Sequence, residues 1–131
     1  MPMKDFRTLS VWNKAHALTL CVYKLTESFP RHELYGVTGQ MRRAAVSIPA
    51  NIAEGCGRSG EGDFHRFLSN AMGSAVEVEY FLLLAKDLLF LSDMDYEALQ
   101  RQVVEIQRML GALVRKVEAA RIRRQPGPSG R

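Results

Sequence analysis

Cysteine is nearly absent from this chain of 131 residues, which holds only Cys21 and Cys56. Two thiols do not make a disulfide framework, and both read as reduced cysteines of a cytoplasmic protein. A membrane span is missing too. The greasiest stretch, Tyr80 to Leu91, is broken by Lys86 and Asp87, well short of the ~20 apolar residues a bilayer requires. Lys4, Asp5 and Arg7 stand where a secretory signal would place its apolar segment, so no signal peptide is expected. No segment alternates apolar and polar residues for long enough to make a strand. No glutamate is followed three positions on by a histidine, which removes the di-iron bundle pattern. His16, His32 and His65 share no ligand spacing, so no metal and no cofactor is expected. The G-x-S-x-G nucleophile elbow is also lacking, and the chain reads as a non-enzyme.

What is present is an ordinary globular composition, 47% hydrophobic and 24% charged. That suffices for one domain with its own core. Four apolar stripes recur at helical spacing. The first is Val11, Ala15, Leu18, Val22, Leu25 and Phe29, stopped by Pro30. The second is Val37, Met41, Ala45, Ile48 and Ile52, ending at Gly55 as a C-terminal cap. The third runs from Phe64 and Phe67 through Ala71, Ala75, Val78, Leu82 and Ala85 to Leu89. The fourth is Leu99, Val103, Ile106, Leu110, Leu113 and Val117, opened by a capping box of Ser92 and Asp95. Each stripe is one buried helix face. Short connections between four such helices predict an all-α, antiparallel up-down-up-down bundle over residues 1–120.

The net charge of +4 is unevenly placed. Residues 1–60 hold eight basic against four acidic residues, residues 61–120 six against ten, and residues 121–131 four arginines and no acid. The expected domain is thus neutral but lopsided, followed by a basic tail that its prolines and glycines mark as disordered. Arg42, Arg43, Arg58, Arg121, Arg123 and Arg124 are the candidate nucleic-acid contacts, because guanidinium forks suit phosphates. The same residues also fit solvated helix faces.

Two helices carry more than a core stripe. On the third, Leu68, Met72, Val76, Leu83 and Phe90 form a second apolar line, a candidate interface with another copy of the chain. A centrally placed helix is the alternative. On the second, Ser47, Asn51 and Glu54 lie in a polar line, matched by Ser74 and Glu77 on the third. These are candidates for a hydrogen-bonded network between helices. Pro49 in the middle of the second helix removes a backbone N–H and is expected to kink it. Gly55-Cys56-Gly57-Arg58-Ser59-Gly60 matches G-x-G-x-x-G, but it follows a helix rather than a strand, so it is not a dinucleotide site. Cys56 in that loop, near Arg58, is a candidate reactive thiol, but the sequence supplies it with no obvious histidine base, His65 being the one that could approach in space.

The run from Gln40 to Gly55, QMRRAAVSIPANIAEG, resembles the signature of the 23S rRNA intervening sequence proteins. So do Leu9, Val11, Trp12 and Ala15, the segment Tyr23 to Pro30, Glu33 with Tyr35 and Gly36, and Phe67 to Ala71 with Gly73, Ser74 and Glu77. The likeness covers about residues 5–117. It implies an antiparallel four-helix bundle that assembles into a homopentamer. Related proteins include the accessory variability protein of diversity-generating retroelements, a basic pentamer that binds RNA or DNA and a reverse transcriptase. The expected function is a non-enzymatic homo-oligomeric scaffold that contacts RNA or DNA. The alternative is a scaffold for a partner protein with no nucleic-acid role.

Overall fold

A computed structural model describes residues 4–124. They form α1 (Ser10–Thr26), α2 (Val37–Cys56), α3 (Glu61–Asp87) and α4 (Asp93–Arg124), with short 3-10 turns at Phe6–Thr8 and Arg31–Glu33. No strand occurs among the described residues. Both α1 and α3 touch α2 and α4, so α1 lies diagonally from α3 around one core. Leu18, Met41, Ile48, Leu68, Leu82, Ile106 and Leu110 are among its fully buried side chains. No helix of the described residues is long and apolar enough to cross a membrane.

The helix ends show which local signals decided the boundaries. α1 stops at Thr26, before Pro30, yet Phe29 stays buried in the turn, its ring 5.4 Å from that of Phe90. That contact brings the α1–α2 and α3–α4 connections to the same end of the molecule. The Val37 N–H at the head of α2 donates to Glu33 Oε1 at 3.1 Å, satisfying one of the donors a helix start leaves open. At the head of α4 the Asp95 N–H donates to Ser92 Oγ at 3.1 Å, as an N-cap serine should allow.

α2 continues through Pro49 without a break. The ring nitrogen has no hydrogen to donate, so the Ala45 carbonyl loses its helical partner. Thr19 of α1, itself buried, brings its hydroxyl within 3.1 Å of that carbonyl and 2.9 Å of Ala15 O. A defect in one helix thereby becomes a bond to the next.

Three sequence expectations are corrected. Gly55 does not cap α2: it is buried inside the helix, and a methyl there would sit 3.0 Å from Phe64 Cδ1 and from Phe67 Cβ. Its role is close approach of α2 to α3. Leu89 is not the last core residue of α3. The helix ends at Asp87, and Leu89 takes a left-handed φ of 64° with 88% exposure. The Phe90 N–H then donates back to Ala85 O at 2.8 Å and the Leu89 N–H to Lys86 O at 2.9 Å, closing the helix as a left-handed C-cap does. Finally, α4 runs to Arg124, so a boundary at residue 120 falls inside a helix. Residues 125–131 of the expected tail lie outside the described residues.

Candidate nucleic-acid and self-association interfaces

The polar line of α2 divides. The Ser74 hydroxyl of α3 donates to Ser47 Oγ at 2.8 Å. The Asn51 amide donates to Ser47 Oγ at 2.9 Å and to the Ser47 carbonyl at 2.8 Å. Those three residues join α2 to α3. Glu54 and Glu77 do not take part. Glu54 pairs with Arg58 one turn on, at 2.7 Å on the surface, and Glu77 is exposed. A carboxylate prefers water or a cation to a small serine cluster.

A second polar clamp was not expected. Glu79 of α3 accepts from Gln100 at 3.1 Å and from Gln107 at 2.8 Å, both on α4. Its only trace in the sequence is the seven-residue spacing of the glutamines, which puts both on one helix face.

The candidate arginines are mostly engaged within the protein. Arg42 donates from Nε to Thr26 Oγ1 at 2.8 Å and lies over the Tyr23 ring at 4.9 Å. Arg43 bonds Gln40. Arg58 pairs with Glu54 and stacks on Phe67, 5.0 Å from its centroid. Arg121 pairs with Glu118 at 3.0 Å. Arg124 pairs with Glu61, and its guanidinium holds the Glu61 carboxyl below the usual carboxylate range. Arg123 is exposed and has no ion pair among the described residues. His65 of α3 also meets Glu118, at 3.2 Å. The head of α3 and the tail of α4 therefore lie together, and Arg58, Arg66, Arg121, Arg123 and Arg124 gather at that end. Arg66 shares the Phe67 ring with Arg58, at 4.5 Å.

The second apolar line of α3 also divides. Leu68 is fully buried in the core of its own chain, so it is not an outward contact. Met72 is half-buried against that core and Phe90 rests on Phe29. Both are held within the chain because the line drifts around the helix toward α4 and the turn. Val76 and Leu83 do face outward, 52% and 42% exposed, and Tyr80 between them is 56% exposed. The 4-3 spacing of Val76, Tyr80 and Leu83 was the available signal. A shallow groove of about 280 Å³ beside them reaches Tyr96 of α4.

The opposite side, between α1 and α2, has an apolar groove of about 350 Å³ lined by Phe6, Trp12, His16, Val46, Pro49 and Ala53. Trp12 stacks on His16 at 5.0 Å. Trp12, His16 and Pro49 were noted singly in the sequence but not as one surface, because the lining comes from three separate segments.

Cys56 does not sit in an exposed loop. It ends α2, is buried, and burial pushes its thiol pKa up. A protonated thiol is a poor nucleophile. Among the described residues no group of three or more His, Cys, Asp or Glu is placed to hold a metal ion.

The model of the 23S rRNA-intervening sequence protein family matches residues 7–112, from the turn before α1 to the middle of α4. The chain belongs to this family. A crystal structure from the S23 ribosomal protein family of Bacteroides thetaiotaomicron, a protein of unknown function, has the same fold, with a TM-score of 0.75. It is 25% identical and covers 79% of this chain and 97% of its own. No curated protein matches. In this intervening sequence protein, Arg121, Arg123 and Arg124 lie beyond the matched segment, whereas Ser47, Asn51, Pro49 and the exposed line of α3 lie within it.

Proposed function

We propose that this protein is a non-enzymatic, antiparallel up-down-up-down bundle that assembles into a closed homo-oligomer, a pentamer by its family resemblance, and contacts RNA or DNA in the cytoplasm. One observation carries the assembly. The exposed ridge Val76, Tyr80 and Leu83 on the α3–α4 side and the apolar groove of Trp12, Val46 and Pro49 on the α1–α2 side occupy opposite faces. Two different apolar patches on opposite faces favour head-to-tail contact, and head-to-tail contact closes into a ring when the rotation allows.

The arginine-rich end supports the nucleic-acid part. Each chain presents Arg58, Arg66, Arg121, Arg123 and Arg124 there, and repetition around a ring multiplies a weak patch without any new contact. Surface ion pairs hold their partners weakly, so phosphates can replace Glu54 or Glu118. Such binding reads charge rather than sequence and falls steeply with salt.

Solution mass tests the assembly: a species several times 14.8 kDa is expected, and a monomer at micromolar concentration removes it. Fluorescence titration with a structured RNA at several salt concentrations tests the contact. Steep weakening with salt supports it, and a flat response or no binding at low salt rejects it. The partner-protein reading is favoured by the internal engagement of Arg42, Arg58, Arg121 and Arg124. Pull-down with and without nuclease separates the two: a client retained after nuclease points to protein.

A further inference from the structure

We propose that the cavity between the α1–α2 connection and the first turns of α2 is a binding site for a small apolar monocarboxylic acid. The cavity measures about 460 Å³, within the ~300–1,000 Å³ of ordinary small-molecule sites. Phe29, Pro30 and Leu34 supply apolar walls, enough for an aliphatic or aromatic body.

Thr38 and Arg42, one turn apart on α2, both line the cavity. Thr38 is only 3% exposed, and among the described residues its hydroxyl has no hydrogen-bond partner. A buried hydroxyl left in that state is unfavourable unless something arrives to bond it. Arg42 is fixed by Thr26 Oγ1 at 2.8 Å, by a longer reach of 3.4 Å to the Tyr23 carbonyl, and by the Tyr23 ring. A guanidinium has five N–H donors, so this fork is held in place with donors to spare. Arg31 lines the same cavity and has no ion pair among the described residues. The N-terminus of α2 opens here, adding its positive end.

The charge balance selects a monoanion. Glu27 lines the rim, and Glu33 already caps the Val37 N–H. Two nearby carboxylates oppose a dianion such as phosphate, whereas one carboxylate is matched by Arg42 and the Thr38 hydroxyl. The site lies at the end of the bundle away from the arginine cluster, and it stands independently of the scaffold reading.

The test is a titration of the full-length protein with 4-phenylbutyrate, followed by amide chemical shifts. Inorganic phosphate and the neutral 4-phenylbutyramide are run alongside. Saturable shifts at Thr38, Arg42 and Leu34 are expected with the acid alone. Thr38→Val keeps the shape and removes the hydroxyl, so it should fold and bind about tenfold more weakly, a difference of about 1.4 kcal/mol. Arg31→Gln should weaken binding by a smaller factor. No shifts by about 10 mM acid, equal binding of the amide or of phosphate, or full affinity in Thr38→Val would each overturn the proposal.

Discussion

α2 and α3 pack on each other along most of their length, yet they solve opposite problems. α2 carries proline, glycine, serine and asparagine in its inner half. Three are answered from outside the helix: Thr19 serves the carbonyl that Pro49 orphans, Ser74 serves Ser47, and Phe64 and Phe67 fill the space at Gly55, while Asn51 bonds Ser47 within α2. α3 has the reverse excess. Its inner line is buried to completion, and Val76, Tyr80 and Leu83 remain outside. The difference teaches that the helix-unfriendly residues of α2 are answered within one chain, whereas α3 has apolar surface that one chain does not cover.

The strongest way to break this contrast is to cut both lines of α3. Leu68→Ala should destabilise the protein by ~2–5 kcal/mol in urea unfolding, as for a buried leucine leaving a cavity. Leu83→Ala should change the unfolding free energy of a single chain by less than ~0.5 kcal/mol, while lowering the solution mass. Equal stability losses in the two variants would erase the distinction between inner and outer lines. Next in size is Asn51→Leu, expected to cost ~1–3 kcal/mol because Ser47 and its surroundings lose a half-buried donor. A neutral result would mean the Ser47–Ser74 bond stands without it.

A double-mutant cycle sharpens the α2 side. Thr19→Val should cost ~1 kcal/mol in the parent chain. In a Pro49→Ala background, where the new backbone N–H can serve Ala45, the same change should cost almost nothing. Additive losses would show that the threonine acts on Ala15 alone. Last comes Leu89→Gly, which should raise stability by ~1 kcal/mol, since a left-handed backbone strains any residue with a Cβ. A thermal melt reads it, and a loss instead would mean that the exposed leucine side chain has a contact in the assembled protein.

Much of the architecture was legible in periodicity. Val11 to Val22, Met41 to Ile52, Phe64 to Ala85 and Leu99 to Val117 are the buried lines, because a 3.6-residue repeat leaves a helix only one face to hide. Leu89 and Gly55 misled for a common reason: a stripe or a glycine says nothing of where the chain turns until the neighbouring helix is in place. Leu68 misled because a stripe carries no label of which neighbour covers it. Of the polar line, Ser47, Asn51 and Ser74 could be anticipated as small polar residues beside a core. Glu79 with its two glutamines could not, since one partner lies more than twenty residues from the others.

The sequence alone determined that there are four helices, which side of each is apolar, and that the basic residues concentrate near the end of the chain. Those properties follow from local geometry and composition, which need no partner to be defined. Tertiary structure decided which arginines are tied to acids, which leucine of α3 faces out, which hydroxyl answers Pro49, and that Thr38 lies one turn from Arg42 with no partner among the described residues. Such matters depend on distances between segments far apart in the chain, and only the packed molecule sets those distances.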